Sequence, residues 1–134
     1  MKKTLLIGIG GMAGAWLRFG IKSHPLFSTE SLFPWHTILA NLLACLLIGV
    51  FAGLLLDRHI IGAEMRLLLV TGFLGALSTF STVCRETWNL IASGHVPTAF
   101  VYAAASLGFG YLAVQTGAFL ADRIPWVHAA KEDA

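Results

Sequence analysis

Residues 71–82 read TGFLGALSTFST, and this stretch decides the fold of the chain. Two glycines precede four hydroxyl residues in five positions, all inside the charge-free stretch 67–84. Glycine costs about 1 kcal/mol in a helix, and Ser and Thr side chains compete for backbone hydrogen bonds. At membrane depth, non-helical backbone is tolerated only when it is buried in protein or lines a cavity. We therefore predict a helix break here, the alternative being a kinked but continuous helix.

The composition around this stretch is that of an integral membrane protein. Of the 134 residues, 57% are apolar and 12% are charged, against about 45–50% and about 25% in soluble domains. Cys45 and Cys84 lie in apolar runs and form no ligand or disulfide pattern. The nine cations are spread over the whole length, so we expect no nucleic-acid partner and a chain surrounded by membrane lipid.

The charge-free stretches predict four membrane-spanning helices, since a crossing needs roughly 20 apolar residues. The stretch 87–121 is too long for one crossing, and His95-Val96-Pro97 interrupts it because proline and the residue before it disfavour helix. The alternating pattern of a membrane β-barrel is absent. We predict an all-α membrane protein, a single transmembrane domain over 1–134, with helices near 4–22, 36–56, 66–92 and 98–121.

Four short helices enclose little by themselves, so we expect a partner subunit, most simply a second copy. The glycines of the first span resemble small-xxx-small packing motifs rather than a dinucleotide loop, which would need a strand–turn–helix unit; they are Gly8, Gly10, Gly11 and Gly14. An excess of cations on one side predicts both termini in the cytoplasm; these cations are Lys2, Lys3, Arg58, Arg66, Arg123 and Lys131.

A few polar residues inside the spans are candidates for function. Asn41 lies within the second span, and its amide needs a partner: either it joins two helices by a hydrogen bond or it faces a water-filled path. Arg18, Arg85 and Glu86 either reach the membrane interface or line a pathway. No pairing of His with Cys or a carboxylate is typical of an enzyme, so we expect no catalytic activity.

In sequence, the chain resembles the Fluc/CrcB fluoride channels over essentially all four spans. The third-span string is specific to that family, whereas the glycines of the first span are not. The resemblance is carried by Gly10-Gly11, Gly14-Ala15, Arg18, Thr37, Asn41 and the segments 71–75 and 78–82.

The resemblance implies a four-helix subunit in the bacterial inner membrane that pairs antiparallel with a second subunit. Such dimers conduct fluoride passively out of the cell and hold a structural Na⁺ at the broken third helices. By position, the backbone carbonyls of Gly75 and Ser78 would hold this Na⁺. The implied fluoride pathway comprises Asn41, Phe80, Thr37, Ser81, Thr82, Glu86, Tyr102 and Arg18.

These residue types suit fluoride, a small and strongly hydrated anion that needs replacement donors. The Asn41 amide and the hydroxyls of Thr37, Ser81 and Thr82 can donate hydrogen bonds. Phe80 can present the positive edge of its ring to an anion. A bound Na⁺ would add a fixed positive charge near the path.

Several positions depart from the family pattern. Val83 stands where a second phenylalanine is usual, Trp35-His36 replaces Pro-Gly, Ala76 replaces a glycine and Gly110 replaces a serine. These departures, and a cation imbalance that fits poorly with insertion in both orientations, leave open a subunit of a heteromeric channel or a non-conducting assembly subunit. A proton-coupled drug antiporter is the alternative from another class, although its mid-span carboxylate is absent from the first, second and fourth spans.

Overall fold

A computed structural model describes residues 1–26, 31–55 and 62–123 of the protein. Within these ranges every regular element is helical. We number the helices α1 (Lys2–Ser23), α2 (Trp35–Leu55), α3 (residues 63–77), α4 (Phe80–Ala92) and α5 (Val96–Asp122). Within α3, Leu67–Leu74 is wound as a π-helix.

Four helical segments are long and apolar enough to cross a membrane: Lys2–Ser23, Trp35–Gly53, Ala63–Ala92 and Val96–Asp122. The predicted all-α architecture with four spans is therefore confirmed, and the chain is a multi-pass membrane protein. The predicted end of the second helix at residue 56, and Arg58 and Lys131 of the orientation argument, lie outside the described residues.

The third span is broken between α3 and α4, as predicted, so the alternative of a continuous helix is wrong. Ser78 (ψ 151°) and Thr79 (φ −152°, ψ 114°) adopt extended conformations. Helix α4 then restarts at Phe80, and the Thr79 hydroxyl caps it by accepting a hydrogen bond from the Thr82 amide at 3.2 Å. A threonine at this position satisfies one of the amides that a helix start leaves without an intrahelical partner.

Glycines bring the helices together in two tightly packed pairs. A Cβ atom on Gly10 or Gly14 would collide with the backbone carbonyl of Leu68 or Phe73, so α1 and α3 are in backbone contact. Helices α2 and α5 meet in the same way, through Gly49 and Gly117. The predicted small-residue packing thus involves Gly10 and Gly14, whereas Gly8 has no atom within 4 Å of where its Cβ would be and Gly11 has only Gly72 O, at 4.0 Å.

Two buried clusters fill the space between these pairs and position the break. One cluster lies beside α3 and contains Ala40, Ala44, Leu74 and Leu77. The other lies beside α4 and contains Ile38, Val83, Leu90, Ala99 and Tyr102. Both halves of the third span therefore contact residues of α2, and the extended residues between them are half-buried.

We expect Gly14→Ala to destabilise the protein by about 1–3 kcal/mol, since its methyl group has no space against the Phe73 carbonyl. The matched control is Gly8→Ala in the same helix, where the space is open and alanine improves helix propensity by up to about 1 kcal/mol. The free energy of unfolding in mixed micelles measures both. Equal effects of the two substitutions would contradict close packing of α1 on α3.

Candidate functional site

The side chain of Asn41 binds the backbone of the helix break. Its Oδ1 accepts a hydrogen bond from the Thr79 amide at 2.7 Å, and its Nδ2 donates to the Thr79 carbonyl at 3.2 Å. The amide thus joins two helices, which was one of the two interpretations of this residue. Nδ2 carries two hydrogens, so a second N–H is available, and Asn41 also lines a cavity.

The break leaves backbone carbonyls without their usual helical donors, among them those of Gly75 and Ser78. In an α-helix, the carbonyls of Gly75 and Ser78 would accept from the amides of Thr79 and Thr82. Here the Thr79 amide donates to Asn41, and the Thr82 amide donates to the Thr79 hydroxyl. Gly75 and Ser78 are the two residues assigned to Na⁺ from the sequence resemblance, and carbonyl oxygens at helix breaks suit such hard cations.

Hydroxyl groups cluster at the start of α4. Thr79 Oγ1 donates to Thr82 Oγ1 at 2.9 Å and lies 3.3 Å from Ser81 Oγ. Phe80, the first residue of α4, is 74% exposed. The first turn of a helix also attracts negative charge through its amide groups. Backbone amides, hydroxyls and an aromatic ring therefore come together at the N-terminus of α4.

One side of the break forms a cavity of about 580 Å³ that opens to the surroundings of the chain. We call it the aromatic cavity. It is lined by Asn41, Thr79, Phe80, Val83, Trp88 and Ser106, among others.

Ser106 is a polar residue of the aromatic cavity that sequence reasoning missed. Its buried Oγ has no hydrogen bond of ordinary geometry to any described residue, although it lies near the Tyr102 hydroxyl. A signal was present in the sequence, because residues four apart on a helix share a face and Ser106 follows Tyr102 by that spacing.

The other side of the break carries a buried carboxylate. Glu86 Oε1 accepts a hydrogen bond from Thr37 Oγ1 at 3.0 Å, and Oε2 accepts one from the Tyr102 hydroxyl at 2.6 Å. The Glu86 side chain is only 13% exposed, and both of its oxygens accept hydrogen bonds from other helices. Thr37 and Tyr102 belong to the predicted set, and their donor hydrogens are directed at Glu86.

Beside Glu86 lies a second cavity, of about 390 Å³, which we call the cationic cavity. Its charged and titratable lining residues are Arg18, Lys22, His36, Arg85 and Glu86, and Thr37, Thr79 and Thr82 also face it.

The predicted pathway residues are thus divided between two cavities that share Thr79. Asn41 and Phe80 line the aromatic cavity, and Arg18, Thr37, Thr82 and Glu86 line the cationic cavity. Tyr102 contacts Glu86, and Ser81 lies at the break beside Thr79. The extended break is therefore a partition between a polar, cationic space and an apolar, aromatic one.

Comparison with known proteins places the chain in a family. The profile described as "CrcB-like protein, Camphor Resistance (CrcB)" matches residues 5–118. The chain belongs to the CrcB family. This match includes most of each of the four spans and both sides of the break, so the resemblance found from the sequence is confirmed.

Three relatives show how far the similarity extends. A protein of Rhizobium leguminosarum is 38% identical over 117 residues, which cover 87% of this chain and 94% of the relative. Proteins of Moorella thermoacetica and Chlorobaculum tepidum are 40% identical over 121 residues, which cover 90% of this chain and 86% and 95% of those relatives. The first and third are named fluoride-specific ion channel FluC, and the second FluC 1. As a CrcB protein with four spans, this chain is a multi-pass protein of the bacterial cell membrane.

We expect Thr37→Val to destabilise the fold by about 1–3 kcal/mol, because it removes a donor from the buried Glu86 carboxylate. Thr116→Val is the matched control, since that exposed hydroxyl donates only to the Leu112 carbonyl of its own helix. Unfolding in mixed micelles compares the two variants. A Thr37 variant as stable as the Thr116 variant would show that this hydrogen bond does not stabilise the packing of α2 on α4.

Proposed function

We propose that this chain forms a fluoride-specific ion channel that lets fluoride leave the cell passively. The observation that carries the proposal is the pair of hydrogen bonds between the Asn41 side chain and the Thr79 backbone, which we call the Asn41 clamp. The clamp holds the broken third helix so that an amide, hydroxyls and the Phe80 ring line one cavity. The names of the relatives point to the same ion.

The donors at the break match the chemistry of fluoride. A pathway for this ion must replace its hydration shell with hydrogen-bond donors. The second N–H of Asn41 and the Ser81, Thr82 and Ser106 hydroxyls can serve in this way. Phe80 can turn the positive edge of its ring toward the ion. The N-terminus of α4 adds a favourable dipole at the same place.

The cationic cavity supplies electrostatic attraction on one side of the break. Arg18, Lys22 and Arg85 surround it, and cavities lined by one sign of charge concentrate ions of the other sign. The single carboxylate, Glu86, is covered by donors from Thr37 and Tyr102. We propose that fluoride passes from this cavity along the Thr82 and Ser81 hydroxyls toward Asn41 and Phe80.

A second subunit would complete the pathway. Gly75 and Phe80 are exposed on one subunit, and the aromatic cavity opens to its surroundings. We propose an antiparallel dimer in which the backbone carbonyls of Gly75 and Ser78 from both copies hold a structural Na⁺. This ion would supply a fixed positive charge, which favours an anion nearby. Nothing in this arrangement calls for an enzymatic reaction.

Val83 favours one alternative, a heteromeric channel. It is only 8% exposed and belongs to the buried cluster with Ile38 and Tyr102, while also lining the aromatic cavity. A valine contributes no ring edge there, so a partner homologue that carries two phenylalanines would supply the missing one. The antiporter alternative is disfavoured, because both oxygens of Glu86 already accept hydrogen bonds within the protein.

We expect Asn41→Asp to abolish fluoride flux, because a carboxylate repels the anion and cannot donate to the Thr79 carbonyl. Efflux from proteoliposomes, followed with a fluoride electrode after valinomycin is added in a K⁺ gradient, measures this loss. The matched control is Asn89→Asp, an exposed position on α4, which keeps its flux.

The wild-type chain in the same assay separates the proposals. Efflux from vesicles that contain this chain alone supports a homomeric channel. Efflux that appears only after a homologue is added supports the heteromeric one. Wild-type flux in the Asn41 variant would remove Asn41 from the pathway.

Removal of Na⁺ should reduce fluoride efflux, since opposed carbonyls without a cation repel one another. The protein is purified and reconstituted without Na⁺, with N-methylglucamine in its place and K⁺ kept for the valinomycin counterflow, and efflux is measured before and after Na⁺ is restored. We expect recovery on addition of Na⁺. Undiminished flux after exhaustive Na⁺ removal would overturn the Na⁺ site and leave the fluoride pathway standing.

A further inference from the structure

Three basic side chains line the cationic cavity and have no acidic partner in the part of the chain that the structure describes. They are Arg18 and Lys22 of α1 and Arg85 of α4. Among the described residues, the salt bridges join Lys2 to Glu64 and His36 to Glu86. None of the three cations therefore has a described carboxylate within salt-bridge distance. Like charges that share a cavity repel one another, so an anion bound between them would stabilise the arrangement.

The carboxylate of the same cavity leaves this positive charge in place. Glu86 Oε1 accepts a hydrogen bond from Thr37, and Oε2 accepts one from Tyr102. Its neighbour on the cavity side is His36, whose Nε2 lies 3.4 Å from Oε1. Three cations thus stand against one carboxylate whose oxygens already have donors, and the cavity is net positive.

The basic side chains suit an anion with several oxygens. Arg18 and Lys22 are four residues apart on α1 and so share a face of that helix, while Arg85 comes from α4. Arg18 is half-buried, whereas Lys22 and Arg85 are exposed. Guanidinium groups present a planar fork of donors that matches phosphate oxygens in pairs, and an ammonium group adds a point charge.

A hydroxyl donor is also available in the cavity. Thr82 Oγ1 accepts a hydrogen bond from Thr79 Oγ1 at 2.9 Å, and its own hydrogen is therefore available to a ligand. Thr82 lines the cavity together with the three cations. The cavity thus combines fixed positive charge with a neutral donor, as oxyanion sites do.

The size and position of the cavity fit a group larger than a halide ion. Its volume of about 390 Å³ lies in the range of about 300–1,000 Å³ that small-molecule sites occupy. Phe19 lines it and is 65% exposed, and Trp16, three residues earlier on α1, is 81% exposed. Aromatic residues exposed near the end of a span lie at the level of lipid headgroups. Dissolved anions and lipid headgroups can therefore both reach this cavity.

We propose that the cationic cavity binds an anionic phosphate group, carried by inorganic phosphate or by the headgroup of an anionic phospholipid. Arg18 and Arg85 donate to its oxygens, Lys22 supplies a point charge, and Thr82 Oγ1 adds a donor. Thr82 is also where the proposed fluoride pathway leaves this cavity, so a bound phosphate group obstructs fluoride entry. This obstruction rests on the proposed function, whereas the binding site does not.

The first experiment measures binding of inorganic phosphate to the full chain by calorimetry in a lipid-free neutral detergent. Arg85→Gln and Lys22→Gln each remove an exposed cation from the cavity. The matched control is Lys3→Gln, which removes an exposed cation about 20 Å along α1 from Arg18. We expect each cavity variant to bind phosphate about tenfold more weakly or worse, as for the loss of a charged hydrogen bond. The control keeps the wild-type affinity.

A second variant at the same position guards against a folding defect. Arg85→Lys keeps the charge but not the planar fork, so its affinity for phosphate should lie between those of the wild type and Arg85→Gln. An affinity of Arg85→Lys below that of Arg85→Gln would contradict recognition through charge.

The second experiment separates the two sources of phosphate. The protein is incubated in detergent with equal amounts of phosphatidylglycerol and phosphatidylcholine, and the lipid that it retains is identified by native mass spectrometry. Phosphatidylglycerol retained by the wild type and Lys3→Gln, but lost from Arg85→Gln, identifies a lipid headgroup as the ligand. Phosphate binding without a preference between the two lipids identifies the free anion.

The third experiment tests the obstruction. Valinomycin-dependent fluoride efflux from phosphatidylcholine vesicles is measured with phosphate on both sides, and gluconate at equal ionic strength replaces it in the reference. Each protein is compared with its own phosphate-free flux. Phosphate should slow the wild type and Lys3→Gln at the same concentrations, and the concentration for half-inhibition should rise about tenfold in Arg85→Gln.

The outcomes distinguish the site from its effect on flux. Absence of both phosphate and lipid binding overturns the site, and so does equal binding by the wild type and both cavity variants. Binding that leaves fluoride efflux unchanged overturns the obstruction. Absence of valinomycin-dependent efflux from the wild type without phosphate overturns the proposed function, and the obstruction with it, while calorimetry still decides the binding site.

Discussion

The pairing of the Asn41 side chain with the Thr79 backbone is the interaction on which the rest of the site depends. Two extended residues inside a membrane protein expose amides and carbonyls that hydrocarbon cannot satisfy. Asn41 satisfies one of each on Thr79, at 2.7 and 3.2 Å. A primary amide suits this role because it both accepts and donates. Through this contact α2 determines where the third span stops and restarts.

The consequences of this clamp spread to both sides of the break. Because the Thr79 amide is bound to Asn41, the carbonyl of Gly75 is left for another partner. Because Thr79 also caps α4, the dipole of that helix begins at the hydroxyl cluster. The Glu86 contacts with Thr37 and Tyr102 then join α2, α4 and α5 one turn further on. Clamp and carboxylate together separate the aromatic cavity from the cationic cavity.

The two cavities differ in what lines them. Val83 lines the aromatic cavity and presents no ring edge there. The cationic cavity is lined by Arg18, Lys22 and Arg85, whose charges act at longer range than contact. The clamp itself, with Asn41 and Thr79, lies between the two cavities.

The sequence alone determined the membrane class, the four spans and the location of the break. These features follow from local properties: the length of apolar stretches, the cost of glycine and hydroxyl residues in a helix, and the effect of Pro97. It also singled out Asn41 and Glu86, since polar groups inside spans need partners.

Only the tertiary structure decided what those partners are. Thr37 and Tyr102 meet Glu86 across 49 and 16 residues of chain, and Ser106 and His36 reach their cavities through the packing of α5 and α2. No pattern within one helix could show this, because such contacts depend on how close the glycines allow the helices to approach.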